Sequence, residues 1–456
     1  MGTDRAARSS GRGSGSPARG EGARALALHV LRRVTEEGAY SNLALSAELS
    51  RSRLSARDRQ LAAELTYGTL RRLIPLDRAI AGVSSRPPGR IDPQALALLR
   101  LGAYQLLFTR IPAHAAVSET VGMADPPARG FVNAVLRSIA REQPLPPGEG
   151  SDDDAISDRT GLAPWAVAEM RRVLPEDEVE LAAAALATPA DLSLRTNRCR
   201  TETERLEAAI AKAGIDVRRG SLHPDVLHVP GTPPALLPGY EEGWFAVQDE
   251  ASAVVTAALE ATPGERVYEP CGAPGGKSAH LACLVEPRGQ LVSADVRLGR
   301  ARLIVRTAER LGVSAKALVQ DARRPALSGG FDAALVDAPC SGLGAARRRP
   351  ELLWRPSSKD LARLARLQVA ILVATADLVR PGGRMVYSVC TFPRAETDAA
   401  VRAFLWNRPD FEPMPVAGPD GPGADHRLWP HRHGTDAMFY AGFRRRSIPE
   451  APGGAG

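Results

Sequence analysis

Aromatic residues are sparse in this 456-residue chain, at 5%, and lysine occurs only at Lys212, Lys277, Lys316 and Lys359. No run of about 18 uncharged apolar residues occurs, which argues against a membrane-spanning helix. The first 21 residues are small, polar and dotted with arginine, without the apolar stretch of a secretory signal, so a cytoplasmic protein is expected. The five cysteines, Cys199, Cys271, Cys283, Cys340 and Cys390, are odd in number, widely spaced and never arranged C-x-x-C. That pattern speaks against a disulfide framework and against a structural zinc site. No metal is expected, and the thiols are read as buried fillers or reactive groups. What is present is a 44% apolar share, enough for real cores, on a length that suggests two or three domains. The net charge of +7 favours a polyanionic partner. Arginine carries nearly all the positive charge, as in a composition that has drifted from lysine, so Lys277 stands out.

Residues 1–22 read as a disordered tail and 447–456 as another. Helical spacing of Ala25, Leu28, Leu31 and Val34, then Leu61, Leu65 and Leu70, then Leu96, Leu99 and Tyr104, predicts an all-helical domain over 23–145. The proline- and glycine-rich stretch Gln143 to Asp154 reads as a linker. A small mixed α+β domain is expected over 155–240, with a strand at Leu192 to Asn197. Over 241–446 short β-rich runs alternate with helical ones. The strands are expected at Arg266 to Glu269, Gln290 to Asp295, Ala317 to Gln320, Ala333 to Asp337 and Arg384 to Val389. The helices are expected at Gly276 to Val285, Leu298 to Leu311 and Ser358 to Val379, and Pro422 to His433 is read as a loop. This alternation predicts an α/β domain with a mostly parallel, doubly wound sheet.

Chemistry concentrates at the predicted strand ends. Glu269-Pro-Cys-Gly-Ala-Pro-Gly-Gly-Lys-Ser278 joins a strand to a helix, where backbone N–H groups and a helix N-terminus favour an anionic group. Cys271 stands where a Walker A loop needs its first glycine, and no G-x-G-x-x-G is present. The loop alone leaves open a nucleoside cofactor with a carboxylate tail or a merely structural turn. Asp295, Asp321 and Asp337 close successive strands, and such acids converge on the crevice where open α/β sheets bind ligands. Each could instead be an ordinary turn residue. Two cysteines follow strands on the same rim, Cys340 in Asp337-Ala-Pro-Cys340-Ser-Gly and Cys390 in Tyr387-Ser-Val-Cys390-Thr. A free thiol is a few per cent thiolate at neutral pH, and thiolate is a strong nucleophile. Arg347 to Arg349, just beyond, are candidates for holding phosphates.

In this order, Cys271-Gly-Ala-Pro-Gly-Gly-Lys277, Asp337-Ala-Pro-Cys-Ser-Gly and Tyr387-Ser-Val-Cys-Thr resemble the RNA (cytosine-5) methyltransferases of the Nop/Sun family. Gly243-Trp-Phe-Ala-Val-Gln-Asp-Glu-Ala-Ser252 and Arg195-Thr-Asn197 resemble that family's approach motifs. Glu64-Leu-Thr-Tyr-Gly-Thr-Leu-Arg71, Pro112-Ala-His-Ala-Ala-Val117 and Gly130-Phe-Val-Asn-Ala-Val-Leu-Arg137 resemble an RNA-binding domain of the NusB type. The pairing is similar to the bacterial small-subunit ribosomal RNA methyltransferase B branch (Sun, or Fmu). The chain departs from the family pattern at Glu269, usually Asp, at Gly272, usually Ala, and at Val389, usually small and polar.

The resemblance implies a Rossmann-like class I methyltransferase domain preceded by a NusB-like domain and a small α+β domain. It implies S-adenosylmethionine as cofactor, held by Cys271, Gly272, Ala273, Pro274, Gly275, Gly276, Lys277, Asp295, Arg300, Asp321 and Asp337. Cys390 would be the nucleophile and Cys340 the cysteine that assists loss of the C5 proton. Asp337 would contact the cytosine edge, and Lys277 would add positive charge. The implied partner is RNA, 16S ribosomal RNA first, and a monomer is expected. The alternatives are the same chemistry on transfer RNA or another RNA and, more remotely, a non-catalytic RNA-binding or antitermination protein, for which two rim thiols would have no use.

Overall fold

The computed structural model describes residues 22–144 and 150–447. The expected tails, apart from Gly22 and Ser447, and residues 145–149 of the expected linker lie outside the described residues. The chain divides into two compact units, one up to Pro146 and one from Pro147 onward.

The first unit is helical, as its spacing predicts: α1 (Ala23–Thr35), α2 (Ser41–Arg51), α3 (Ala56–Arg71), α4 (Leu73–Val83), α5 (Pro93–Phe108), α6 (Ala113–Gly122) and α7 (Pro126–Glu142). Starts are written in the sequence. Ser55 caps α3 through the Asp58 N–H, and Asp92 caps α5 with Pro93 in the first turn, where no amide donor is needed. The α1 stripe of Ala27, Val30, Leu31 and Val34 is buried. Gly68 lets α3 approach α5 so closely that a Cβ there would overlap the Tyr104 ring, whose hydroxyl donates to Glu64 at 2.5 Å.

The second unit opens with α8 (Asp153–Thr160), α9 (Pro164–Arg171) and α10 (Glu176–Leu186). An antiparallel sheet follows, built from β1 (Leu192–Thr196), β2 (Arg218–Arg219), β3 (Val226–Val229) and β4 (Phe245–Val247) in the order β2-β3-β1-β4, with α11 (Thr203–Lys212) between β1 and β2. Leu194 pairs with Leu227 and Arg195 with Ala246 across it.

The remaining chain contains α12 (Glu250–Ala257), β5 (Arg266–Glu269), α13 (Gly276–Val285), β6 (Gln290–Asp295), α14 (Leu298–Leu311), β7 (Lys316–Val319) and β8 (Phe331–Asp337). It continues with α15 (Ser358–Ala376), β9 (Val379–Val389), α16 (Asp398–Asn407), β10 (Phe411–Met414), β11 (Asp425–Leu428), α17 (Pro430–His433) and β12 (Met438–Arg445). The sheet order is β10-β12-β9-β8-β5-β6-β7, with β11 paired to β12. β5 through β9 are mutually parallel, and β12 runs antiparallel to β9. Covered on both faces, these strands read as near-continuous apolar runs, as in Ala333 to Val336. In α14, Ala301, Ile304, Ala308 and Leu311 are buried at helical spacing, and Gly312, in the left-handed region, ends the helix. The order reverses between β5 and β8, so the ligand crevice of such a sheet falls there.

Two expectations are corrected. The segment Pro422 to His433 is not a loop throughout, because β11 pairs along β12 and α17 follows. The thiols are not all unpaired: Cys199, in the turn after β1, and Cys283, in α13, form a disulfide with Cα atoms 5.9 Å apart. Their separation of 84 residues hid a contact that exists only in the folded chain, where the turn after β1 meets α13.

Candidate active site

Four chain crossings build the site. β5 delivers the loop Cys271 to Gly275, and α13 begins at Gly276. Gly275 takes φ +110° and packs against Ile304 and Thr307 of α14, so a side chain there would be strained and crowded. Thr307 Oγ1 donates to the Pro274 carbonyl at 2.9 Å. β6 ends at Asp295, whose carboxylate accepts from Arg300 Nε at 2.7 Å, while Arg300 Nη2 donates to the Ala273 carbonyl at 2.9 Å. Asp295 and Arg300 therefore brace the loop directly. Val296 and Leu298 just beyond, and Val319 opposite Asp295 on β7, expose apolar side chains at this strand edge, as a flat ring would require. A carboxylate with spare lone pairs, a backbone cradle and an exposed apolar lip together suit a nucleoside cofactor. Asp321 lies past β7, where its carboxylate accepts from Arg323 Nη2 at 2.6 Å, which holds its pKa down to about 2. The Cys271 thiol faces inward, and burial first, with Asp337 and Asp295 nearby, raises its pKa.

Beneath the loop, Glu269 is wholly buried. Its Oε2 accepts from Ser278 Oγ at 2.5 Å and Ser293 Oγ at 2.8 Å, and burial pushes its pKa up to about 7. A Cβ on Gly272 would overlap Glu269 Oε2 and Ser293 Oγ. Ser293 Oγ is the nearer of the two, so the longer acid fills only part of the space an alanine methyl would need. Gly272→Ala alone is expected to destabilise by about 1–3 kcal/mol through overpacking. Glu269→Asp combined with Gly272→Ala should recover part of that loss, since Ser293 Oγ stays in place. Thermal unfolding of the two singles and the double checks it, and purely additive shifts would contradict the coupling.

On the other side of the crevice, β8 ends at Asp337. Its Oδ2 accepts from Lys277 Nζ at 2.8 Å and its Oδ1 from Ser388 Oγ at 2.8 Å. Lys277 also donates to Ser252 Oγ at 2.8 Å. Burial opposes the Lys277 charge, but Asp337 and the neighbouring Cys390 more than offset it, and its pKa rises. Cys340 and Cys390 meet with their sulfurs 3.4 Å apart. The contact with Cys390 and burial push the Cys340 thiol well up.

Glu396 organises this pair and was not singled out from the sequence. Buried after β9, it accepts from the Ser341 N–H at 2.9 Å, Ser341 Oγ at 2.6 Å and Gln368 Nε2 at 2.9 Å. Ser341 Oγ also lies 2.7 Å from Thr391 Oγ1, and Tyr387 donates to the Glu396 carbonyl at 2.7 Å. The residue following each cysteine is thereby tied to one carboxylate. A glutamate six residues after Cys390 was the available signal.

The approach motifs act as a weld. Asn197 donates to the Gly243 and Leu311 carbonyls, and buried Arg195 donates to Gln248 at 2.7 Å. Arg347 to Arg349, the candidates for holding phosphates, are engaged within the protein. Arg347 donates to the Gly434 and Thr435 carbonyls, Arg348 to Asp249 at 2.8 Å, and Arg349 lies 3.5 Å from buried Glu351.

A doubly wound sheet with a glycine loop at its switch point and acids on adjacent strands defines a Rossmann-like class I methyltransferase. Comparison with known proteins carries this further. The 16S rRNA methyltransferase RsmB/F family profile matches residues 256–444, the NusB family residues 21–141, and an RsmF/B-like ferredoxin-like domain residues 163–234. The chain is 40% identical to Rv1407 of Mycobacterium tuberculosis, over 93% of this chain and 96% of that one. It is 33% identical to the ribosomal RNA small subunit methyltransferase B of Klebsiella pneumoniae, over 93% and 98%. The crystal structure of PH0851 superposes with a TM-score of 0.82 at 26% identity, covering 94% of this chain and all of that one. The chain belongs to the 16S rRNA methyltransferase RsmB/F family.

Proposed function

We propose that this protein methylates C5 of a cytosine in RNA, 16S ribosomal RNA first, from S-adenosylmethionine through a covalent bond between Cys390 and C6. The meeting of Cys340 and Cys390 sulfurs at 3.4 Å beside the Lys277–Asp337 pair carries this reading. C5 of cytosine is too weakly nucleophilic to be alkylated unaided. The Cys390 thiolate adds to C6, while Asp337 steadies the ring edge by hydrogen bonding. When bound, S-adenosylmethionine supplies the sulfonium methyl that the activated C5 takes. Cys340 then removes the C5 proton, passing it to solvent, and the C6–sulfur bond breaks to release the Cys390 thiolate. The pKa of Cys340 is high chiefly because of Cys390. The base must leave its stack, which costs a few kcal/mol and least in a single-stranded loop, so a loop target is expected.

Within this reading Asp295 accepts from ribose hydroxyls. Asp295→Ala is expected to weaken S-adenosylmethionine binding about 10- to 100-fold in calorimetry, the scale of charged hydrogen bonds. Unchanged affinity would remove Asp295 from the cofactor site. The proposal as a whole is tested by incubating the full chain with transcribed 16S ribosomal RNA and S-adenosylmethionine, then separating nucleosides by mass spectrometry. 5-Methylcytidine is expected; methylation of another base, or none, would overturn it.

A further inference from the structure

A cavity lies away from the cofactor loop. It has a volume of about 220 Å³ and opens between the antiparallel sheet and the turn after β8, with Arg218, Arg219, Arg347 and Arg348 in its wall. Of the acids lining it, Glu250 is already engaged, accepting the Leu222 and His223 N–H groups and lying 3.0 Å from His228 Nε2. Asp191 pairs with Arg218, and Glu204 and Glu207 with Arg219, all partly or wholly exposed. Exposed pairs contribute little, so an incoming phosphate can displace them. Arg347 and Arg348 form the fixed inner wall, pinned by carbonyls and by Asp249.

The size and the wiring indicate the ligand. The volume falls below the roughly 300–1,000 Å³ of small-molecule sites but suits a sugar–phosphate unit. The turn that carries Arg347 starts where the Gly344 N–H donates to the Cys390 carbonyl at 3.0 Å. Arg348 reaches Asp249, the cap of α12, and the same helix carries Ser252, the partner of Lys277. A group bound here is fixed relative to the reacting base, which a strand of the same polymer would exploit and a free metabolite would not.

We propose that this cleft holds a ribose–phosphate unit of the RNA strand next to the target cytosine, with Arg218 and Arg219 gripping the phosphate. The proposal rests on the RNA methyltransferase reading. The test uses the full chain, a labelled single-stranded RNA of about 12 nucleotides in anisotropy titrations at several salt concentrations, and transcribed 16S ribosomal RNA for kinetics. Arg218→Ala/Arg219→Ala is expected to weaken RNA binding about 10-fold and raise KM for RNA similarly. The slope of log affinity against log salt should shrink by about 0.7 for each phosphate no longer neutralised. Arg218→Lys/Arg219→Lys should restore most of the slope, and cofactor affinity should not change. Arg363→Ala/Arg366→Ala, which removes two exposed arginines on α15, should leave RNA binding as it was. An equal loss in that control, or wild-type affinity and slope in the Arg218/Arg219 double, overturns the cleft. If the unaltered chain makes no 5-methylcytidine, the underlying reading falls first and the cleft falls with it.

Discussion

Cys390→Ala lowers methyl transfer to RNA by about 10⁴-fold or more, the scale seen when a covalent nucleophile is removed, while the fold and cofactor binding persist. The size follows from the chemistry: without the C6–sulfur bond nothing raises the electron density at C5, so the remaining machinery has no activated carbon to serve. Structural damage should be slight. Cys390 lies just past β9, its backbone carbonyl is held by Gly344 whatever the side chain, and the change removes one partly buried sulfur. Thermal unfolding within a few degrees of the unaltered protein, together with background turnover, is the expected pair of results. Turnover within 10-fold of the unaltered protein would mean that another group attacks the ring.

Cys340→Ala gives the opposite failure. Attack and methylation proceed, but no thiol stands 3.4 Å from the Cys390 sulfur to take the C5 proton, so the bond to C6 is not released. A protein–RNA species surviving denaturing gel electrophoresis is expected to accumulate to near stoichiometry, dependent on added S-adenosylmethionine. Released 5-methylcytidine should fall about 10²- to 10⁴-fold, the usual range for a lost general base. Wild-type turnover in this variant would reject the role of Cys340. Adding Cys390→Ala should abolish the adduct, which ties the two results to one bond.

The parts of this site that could be read from sequence are those whose signals are local. The bounds of β5, β6, α13 and α14 fall as their patterns predict, because a short apolar run and an amphipathic stripe each fix one element. The loop from Cys271 to Lys277 and both rim cysteines could be placed because strand ends of a parallel sheet share one edge. β9 is longer than its pattern: the helix expected to reach Val379 ends at Ala376, and the strand expected from Arg384 already starts at Val379, with an irregular register between Phe331 and Ala333 on β8 absorbing the mismatch. β11 lacks apolar alternation and exists only because β12 offers it an edge. Long-range features stayed hidden for the same reason. The Cys199–Cys283 bond, the Glu396 hub and the inward turn of Arg347 to Arg349 all depend on which segments the fold brings together.

The bond between sulfur and the pyrimidine ring is tested most directly by mapping it. Cys340→Ala is incubated with S-adenosylmethionine and 16S ribosomal RNA, digested with nuclease and protease, and the peptides are weighed by mass spectrometry. A methylated cytidine nucleotide attached to the peptide that contains Cys390 is the predicted result. The same nucleotide on any other residue, or free 5-methylcytidine with no attached peptide, would contradict it.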